Sequence, residues 1–118
     1  MDLENVFIEL RKIMIPYAEK LDCTVNNDNE LYINTNHILE NNKPLWFGAV
    51  QIKKNYVSYH LMPVYINPEL LDQISPELKK RMQGKSCFNF TSIDPSLFEE
   101  LEKLTEASYK DYQEKGFV

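Results

Sequence analysis

The chain is short of the residues that most binding chemistries call for. Three glycines in 118 residues leave little material for a glycine-rich loop, which needs several close together to bring backbone amides onto a phosphate. Two cysteines, Cys23 and Cys87, stand far apart, and the two histidines, His37 and His60, share no chelating spacing with them. Neither a zinc cluster nor a disulfide framework is therefore encoded locally. No apolar run approaches the ~20 residues that a membrane-spanning helix requires. The opening MDLENVFIELRK carries acids where a secretory leader carries bases. Positive charge is in deficit, with 13 Lys and Arg against 18 Asp and Glu and a formal net charge of −5. That deficit works against a general nucleic-acid binder, because phosphate contacts need a basic footprint. Together these shortages predict a cytoplasmic protein with free thiols, no cofactor, and neither nucleic acid nor membrane as a partner.

Aromatic residues are abundant instead. Seven Tyr, six Phe and one Trp bring large areas to bury, so a compact core is feasible without staples. The length fits one domain over residues 1–118.

Leu3, Val6, Phe7, Leu10, Ile13, Met14, Tyr17 and Leu21 recur at intervals of three and four, the mark of an amphipathic helix. Pro16 removes an amide donor and disfavours helix at Ile15. The reading is a helix over about 2–14 and a short restart at Pro16. Polar residues Asn26 to Asn29 between two strand-like pieces suggest a hairpin, and residues 35–44 read as a loop.

LWFGAVQIKKNYVSYHLM gives the clearest strand signal. A two-residue bend at Lys54-Asn55 would pair Lys53 with Tyr56, Gln51 with Ser58, Ala49 with His60 and Phe47 with Met62. Alternation then puts Trp46, Gly48, Val50, Ile52, Val57, Tyr59 and Leu61 on a core face. The opposite face would carry Phe47, Ala49, Gln51, Lys53, Tyr56, Ser58, His60 and Met62.

Three later stretches share one grammar: Asn67-Pro68, Ser75-Pro76 and Asp94-Pro95 each set a capping side chain before a proline at the first helical position. They predict short helices near 68–74 and 76–83 and a long one over about 95–115, with Gly116 past its end. The apolar stripe of the long helix is Leu97, Phe98, Leu101, Leu104, Ser108 and Tyr112. Between the helices, SCFNF reads as a strand with Phe88 and Phe90 inward and Cys87 and Asn89 outward.

Gly84-Lys85-Ser86 has the ending of a nucleotide phosphate loop. Such a loop needs a glycine five positions earlier, a strand before it and a helix after it. Here that earlier position is Lys79, and the order of elements is inverted. A helix end at Gly84 in the left-handed conformation is the better reading. Lys79, Lys80, Arg81 and Lys85 would then lie where a helix C-terminus favours positive charge.

The run NKPLWFGAVQIKKNYVSYH, then PELKKRMQGKSCFNF, then SIDPSLFEELEKLTEASYKDY resembles the YdhG-like family of small bacterial domains. The matching features are Lys43-Pro44-Leu45 against a "GKPL" entry, the hairpin, residues 84–90 against a "KGTIRF"-type strand, and the final helix. The likeness covers roughly two-thirds of the chain. The family's Tyr-Gly-Met-Pro-like stretch has no counterpart between Cys23 and Asn42. The resemblance implies an α+β fold in which an antiparallel β-sheet is packed by N- and C-terminal helices. One branch of the family is described as a frataxin-like iron chaperone, and no catalytic residue carries over.

Three functional readings follow. The first is a non-enzymatic binding domain that takes a small ligand or protein partner on the mixed sheet face, through Phe47, Gln51, Tyr56, Ser58, His60, Met62, Cys87 and Asn89. The blander account of that face is a covering helix or a homodimer. The second is a weak iron carrier using acidic helix faces, with Glu102 and Glu106 as ligands. Against it, Glu99, Glu106 and Asp111 each precede a lysine by four, the spacing of solvent-face ion pairs. The third is a thiol enzyme built on Cys87 and His60. A lone strand thiol is more often a small packing residue, and no third group stands at a recognisable spacing.

Overall fold

In the computed structural model, which describes residues 2–118, Asp2 caps a helix α1 (Leu3–Ala18) by accepting from the Asn5 amide. Strands β1 (Asp22–Asn26), β2 (Glu30–Ile38), β3 (Pro44–Ile52) and β4 (Val57–Leu61) follow. Three short helical pieces come next: α2 (Met62–Ile66), a 3-10 helix (Pro68–Gln73) and α3 (Pro76–Lys79). Strand β5 (Cys87–Phe90) and helix α4 (Pro95–Glu114) complete the chain. The five strands lie in the order β1-β2-β3-β4-β5, each antiparallel to its neighbour. Helices α1 and α4 pack on one face of this sheet and on each other. The expected α+β architecture is the one observed.

The core lies between that face and the two helices. Val6, Phe7, Leu10 and Met14 of α1 meet Leu31, Ile33, Val50, Val57, Tyr59, Leu61, Phe88 and Phe90 of the sheet, under Leu97, Phe98, Leu101, Leu104 and Tyr112 of α4. Two buried tyrosines bring hydroxyls into this layer, and both are satisfied. Tyr59 Oη lies 2.6 Å from Thr105 Oγ1, and Tyr112 donates to the Trp46 carbonyl at 2.8 Å. No buried side-chain polar atom among the described residues lacks a partner.

The β3–β4 register is the one the bend predicts: Gln51 opposite Ser58, Ala49 opposite His60, with Lys53 N–H donating to Tyr56 C=O at 2.8 Å. Caps at Ser75 and Asp94 also form, accepting from Leu78 and Leu97. Asn67 does not cap; its amide donates to the Asp111 carboxylate instead.

Several expectations need correction. Alpha1 runs unbroken through Pro16 to Ala18, because Ile15, Tyr17 and Ala18 pack against the core and hold the last turn in place. The segment expected as a loop is largely strand: β2 continues to Ile38, and only a tight turn around Asn42, at φ 65°, separates it from β3. Gly84 has the expected left-handed backbone, φ 85°, but does not end a helix. It turns the chain so that Gln83 N–H donates to Cys87 C=O and Asn89 N–H to Arg81 C=O. Those bonds cover the outer edge of β5.

The largest correction is at Trp46 and Phe47, which exchange their predicted faces. Beta2 advances one residue, from Ile33 to Asn34, while β3 advances two, from Gly48 to Trp46. The extra residue is a β-bulge. It turns Phe47 and Gly48 both toward the helices and shifts the alternation beyond them. Phe47 is fully buried among Tyr17, Tyr109 and Tyr112. Gly48 is required here: a Cβ would lie 2.5 Å from the His60 carbonyl oxygen and 2.7 Å from Met14 Cε. Gly48→Ala is expected to destabilise the fold by about 1–3 kcal/mol through overpacking, read as a lower urea midpoint at unchanged slope. An unaltered midpoint would mean that α1 and β4 yield freely at this contact.

Candidate functional site

The helices leave one side of the sheet uncovered, and strand register decides which side chains stand on it. Tyr32, Ala49, His60 and Cys87 are successive partners across β2 to β5; Glu30, Gln51, Ser58 and Asn89 form the adjoining row. Trp46 reaches this face because of the bulge.

Its indole stacks on Tyr32 with centroids 5.1 Å apart and planes 13° from parallel, and tilts against His60 at 5.4 Å. The indole N–H donates to Gly48 C=O of its own strand at 3.0 Å, which folds the ring back along β3. Ala49 lies between Tyr32 and His60 in register, yet it is 0% exposed on a face that no helix covers. Trp46, touching both flanking rings, roofs it. A larger residue at 49 would lift the indole.

Beside the rings, polar side chains hold one another. Gln51 donates to the Glu30 carboxylate. Ser58 Oγ lies 3.0 Å from His60 Nε2. Cys87 Sγ lies 3.4 Å from Asn89 Oδ1 and 3.9 Å from His60 Nε2. Burial pushes the Cys87 thiol above its ordinary pKa, against the pull of Lys53. Burial, with Lys53 adding to it, pulls His60 down, against the carboxylate of Glu30. Both shifts favour the neutral thiol and neutral imidazole over a thiolate–imidazolium pair, the reverse of what an activated nucleophile needs.

Of the eight residues expected here, Gln51, Ser58, His60, Cys87 and Asn89 stand together. Ser58 is only 2% exposed, so it supports His60 instead of offering itself to a partner. Tyr56 lies half-buried just before β4 begins, at the hairpin bend. Phe47 is not on this face but in the core. Met62 is not in the strand: β4 ends at Leu61, and Met62 opens α2. The pairing of Phe47 with Met62 is lost for the same two reasons, the bulge and the early end of β4. Tyr32 and Trp46, central to the face, were not among the expected site residues. Gly48 inside a strand was the available signal for Trp46, since a strand glycine often marks a bulge or a close approach.

The carboxylates expected as metal ligands lie on the opposite side of the molecule. Glu102 and Glu106 are one turn apart on α4, and Glu106 pairs with Lys110 at 3.3 Å. Glu99 pairs with Lys103 and Asp111 with Lys115, as their spacing predicts. Among the described residues no group of three or more His, Cys, Asp or Glu is placed to hold a metal ion. Nor is any described helix long and apolar enough to cross a membrane. No protein-family model, curated protein or solved structure matches the chain.

Two outcomes test the electrostatics of this face. Iodoacetamide should modify Cys87 more slowly than a free cysteine at neutral pH, gaining rate only above the usual thiol range; faster modification would mean an activated thiol. The histidine gives a linkage. Its folded pKa lies below the unfolded value of about 6.5, so the unfolded chain protonates first as pH falls. His60 therefore costs no stability above about pH 6.5 and reduces stability as pH drops below it. The stability difference between wild type and His60→Gln should shift against wild type between pH 7.5 and 5, measured by urea unfolding. A pH-independent difference would contradict the lowered pKa.

Proposed function

We propose that the chain is a non-enzymatic binding domain that captures a protein partner on the uncovered sheet face. The observation that carries this reading is the ring cluster Tyr32, Trp46 and His60, spread over three strands where no helix covers it. Aromatic side chains held by their neighbours, surrounded by hydrogen-bonding groups, have the anatomy of a protein interface: a rigid apolar centre and a polar rim. Gln51, Glu30 and Asn89 supply that rim.

Shape and charge support a protein over a small molecule. Small ligands favour concave sites, whereas the face is one side of a twisted sheet whose central hollow, over Ala49, is already filled by Trp46. Clefts in the molecule lie elsewhere, for example between Arg11 and Asn26–Asn29, or between Ile13, Phe98 and Glu102. The helices carry many of the acids, while Glu30 and Lys53, of opposite sign, are the charges that act on His60. The fitting partner is a surface of low charge with apolar and hydrogen-bonding groups. The likeness to the YdhG-like family adds no residue role to this reading.

A photo-crosslinking side chain installed at Gln51 should yield adducts of defined mass that the same group at Lys103 on α4 does not. Trp46→Ala should remove them, with a loss of about 2 kcal/mol or more in affinity, as for a central interface aromatic. His60→Ala should weaken capture and leave the fold intact. An adduct of twice the chain mass would identify a second copy as the occupant. Adducts that survive Trp46→Ala, or form equally from Lys103, would mean that this face is not the contact surface.

A further inference from the structure

We infer that Cys87 and His60 form a two-donor site for a soft monovalent cation, cuprous copper, on the uncovered face of the sheet. The two residues are 27 positions apart in sequence and show no chelating spacing, but they are direct cross-strand partners on β4 and β5. Their donor atoms, Sγ and Nε2, are 3.9 Å apart.

That separation suits a bridging ion. A closed-shell d10 ion such as zinc bonds thiolate sulfur at about 2.3 Å and imidazole nitrogen at about 2.0 Å. One ion of this size therefore spans donors up to roughly 4.3 Å apart, and at a gap of 3.9 Å the S–metal–N angle is about 130°, which a side-chain movement of a few tenths of an ångström opens toward linear without moving either strand. The same gap is long for a sulfur hydrogen bond, and the thiol already has Asn89 Oδ1 at 3.4 Å.

Donor chemistry selects the ion. Thiolate and imidazole are soft and borderline ligands that favour copper over hard oxygen-seeking cations. The described residues supply no third His, Cys, Asp or Glu for a closed tetrahedral site, which zinc requires and two-coordinate cuprous copper does not. Binding replaces the Cys87 S–H proton by an S–Cu bond and releases that proton to solvent; the imidazole gives its Nε2 lone pair, and no electron changes hands. The Ser58 hydroxyl, now 3.0 Å from Nε2, can turn to the Gln51 carbonyl, 3.4 Å away. Asn89 keeps Cys87 in place from the other side. The site shares His60 with the ring cluster of the protein-docking reading, but it rests on the Sγ–Nε2 geometry and its tests read copper and not capture.

The chain carries its own reporter. Trp46, the only tryptophan, lies 5.4 Å from the His60 ring. Cuprous copper delivered anaerobically from a chromophoric cuprous chelator should bind one equivalent per chain and quench Trp46 fluorescence. In the unaltered protein the His60 ring resonances should shift and those of His37 should not. Cys87→Ser should abolish competition with the chelator, His60→Gln should weaken it by about tenfold or more, and Cys23→Ser should match wild type. The inference fails if Cys87→Ser binds as wild type does, if Cys23→Ser loses the equivalent, or if the His60 ring resonances stay in place. Undiminished affinity in His60→Gln would also overturn it, leaving a thiol that binds alone.

Discussion

A missing side chain organises this fold. At Gly48 the central strand β3 comes so close to Met14 of α1 and to the backbone of β4 that no Cβ fits. The bulge beside it turns two consecutive residues, Phe47 and Gly48, to the same side. One is large and the other has no side chain, so α1 can approach the sheet at Gly48 while Phe47 fills the space under Tyr17, Tyr109 and Tyr112. The Trp46 carbonyl is tied to α4 by the Tyr112 hydroxyl, and the Leu45 carbonyl accepts from Thr35 Oγ1 at 2.8 Å. Side chains thus satisfy backbone groups where the β2–β3 ladder becomes irregular.

The same event creates the uncovered face. Without the extra residue, strict alternation would put Trp46 under the helices and Phe47 in the open. With it, the indole lands between Tyr32 and His60 and closes over Ala49. The aromatic supply is thereby divided. Phe and Tyr build a dry layer in which burial raises the pKa of Tyr59 and Tyr112, so both hydroxyls stay protonated and can donate. The open side takes the one indole, a tyrosine and a histidine whose polar edges can stay wet.

Much of the fold was legible because local signals agreed. The Lys54-Asn55 bend, the alternation from Val50 to Leu61, the stripe of α4 and the caps at Ser75 and Asp94 all depend on residues near one another in sequence. What was not legible depended on distant contacts. Periodicity assumes a constant step of two, and one inserted residue inverts everything beyond it; hence Trp46 and Phe47 exchange roles. Tyr32 was within an expected strand, but its face is set by pairing with β3 across the turn at Asn42. Pro16 ends helices on average, yet here the packing of Tyr17 against Phe47 and Tyr109 outweighs the local preference. Gly84 has a left-handed backbone in a tight turn as readily as at a helix end, and only the contacts of Arg81 and Gln83 with β5 distinguish the two. At the candidate site, five residues were legible by parity alone, whereas the Cys87–His60 approach needed the β4–β5 register, which no local turn supplies.

That register is locked from the far side of the sheet. A one-residue slip of β5 would turn Phe88 and Phe90 outward and bring Cys87 and Asn89 beneath α4. Each phenyl ring left in water forfeits about 2–3 kcal/mol of burial, and Asn89 would enter an apolar layer without a partner. Both costs act through the helix-side core; neither involves His60, Ser58 or Trp46. The separation between Cys87 Sγ and His60 Nε2 is therefore held by residues that touch neither atom. Tyr32, Trp46, Gln51, His60 and Asn89 are only half-buried and lie outside that core, so substitutions there can alter what the face binds while the register beneath them stays as it is.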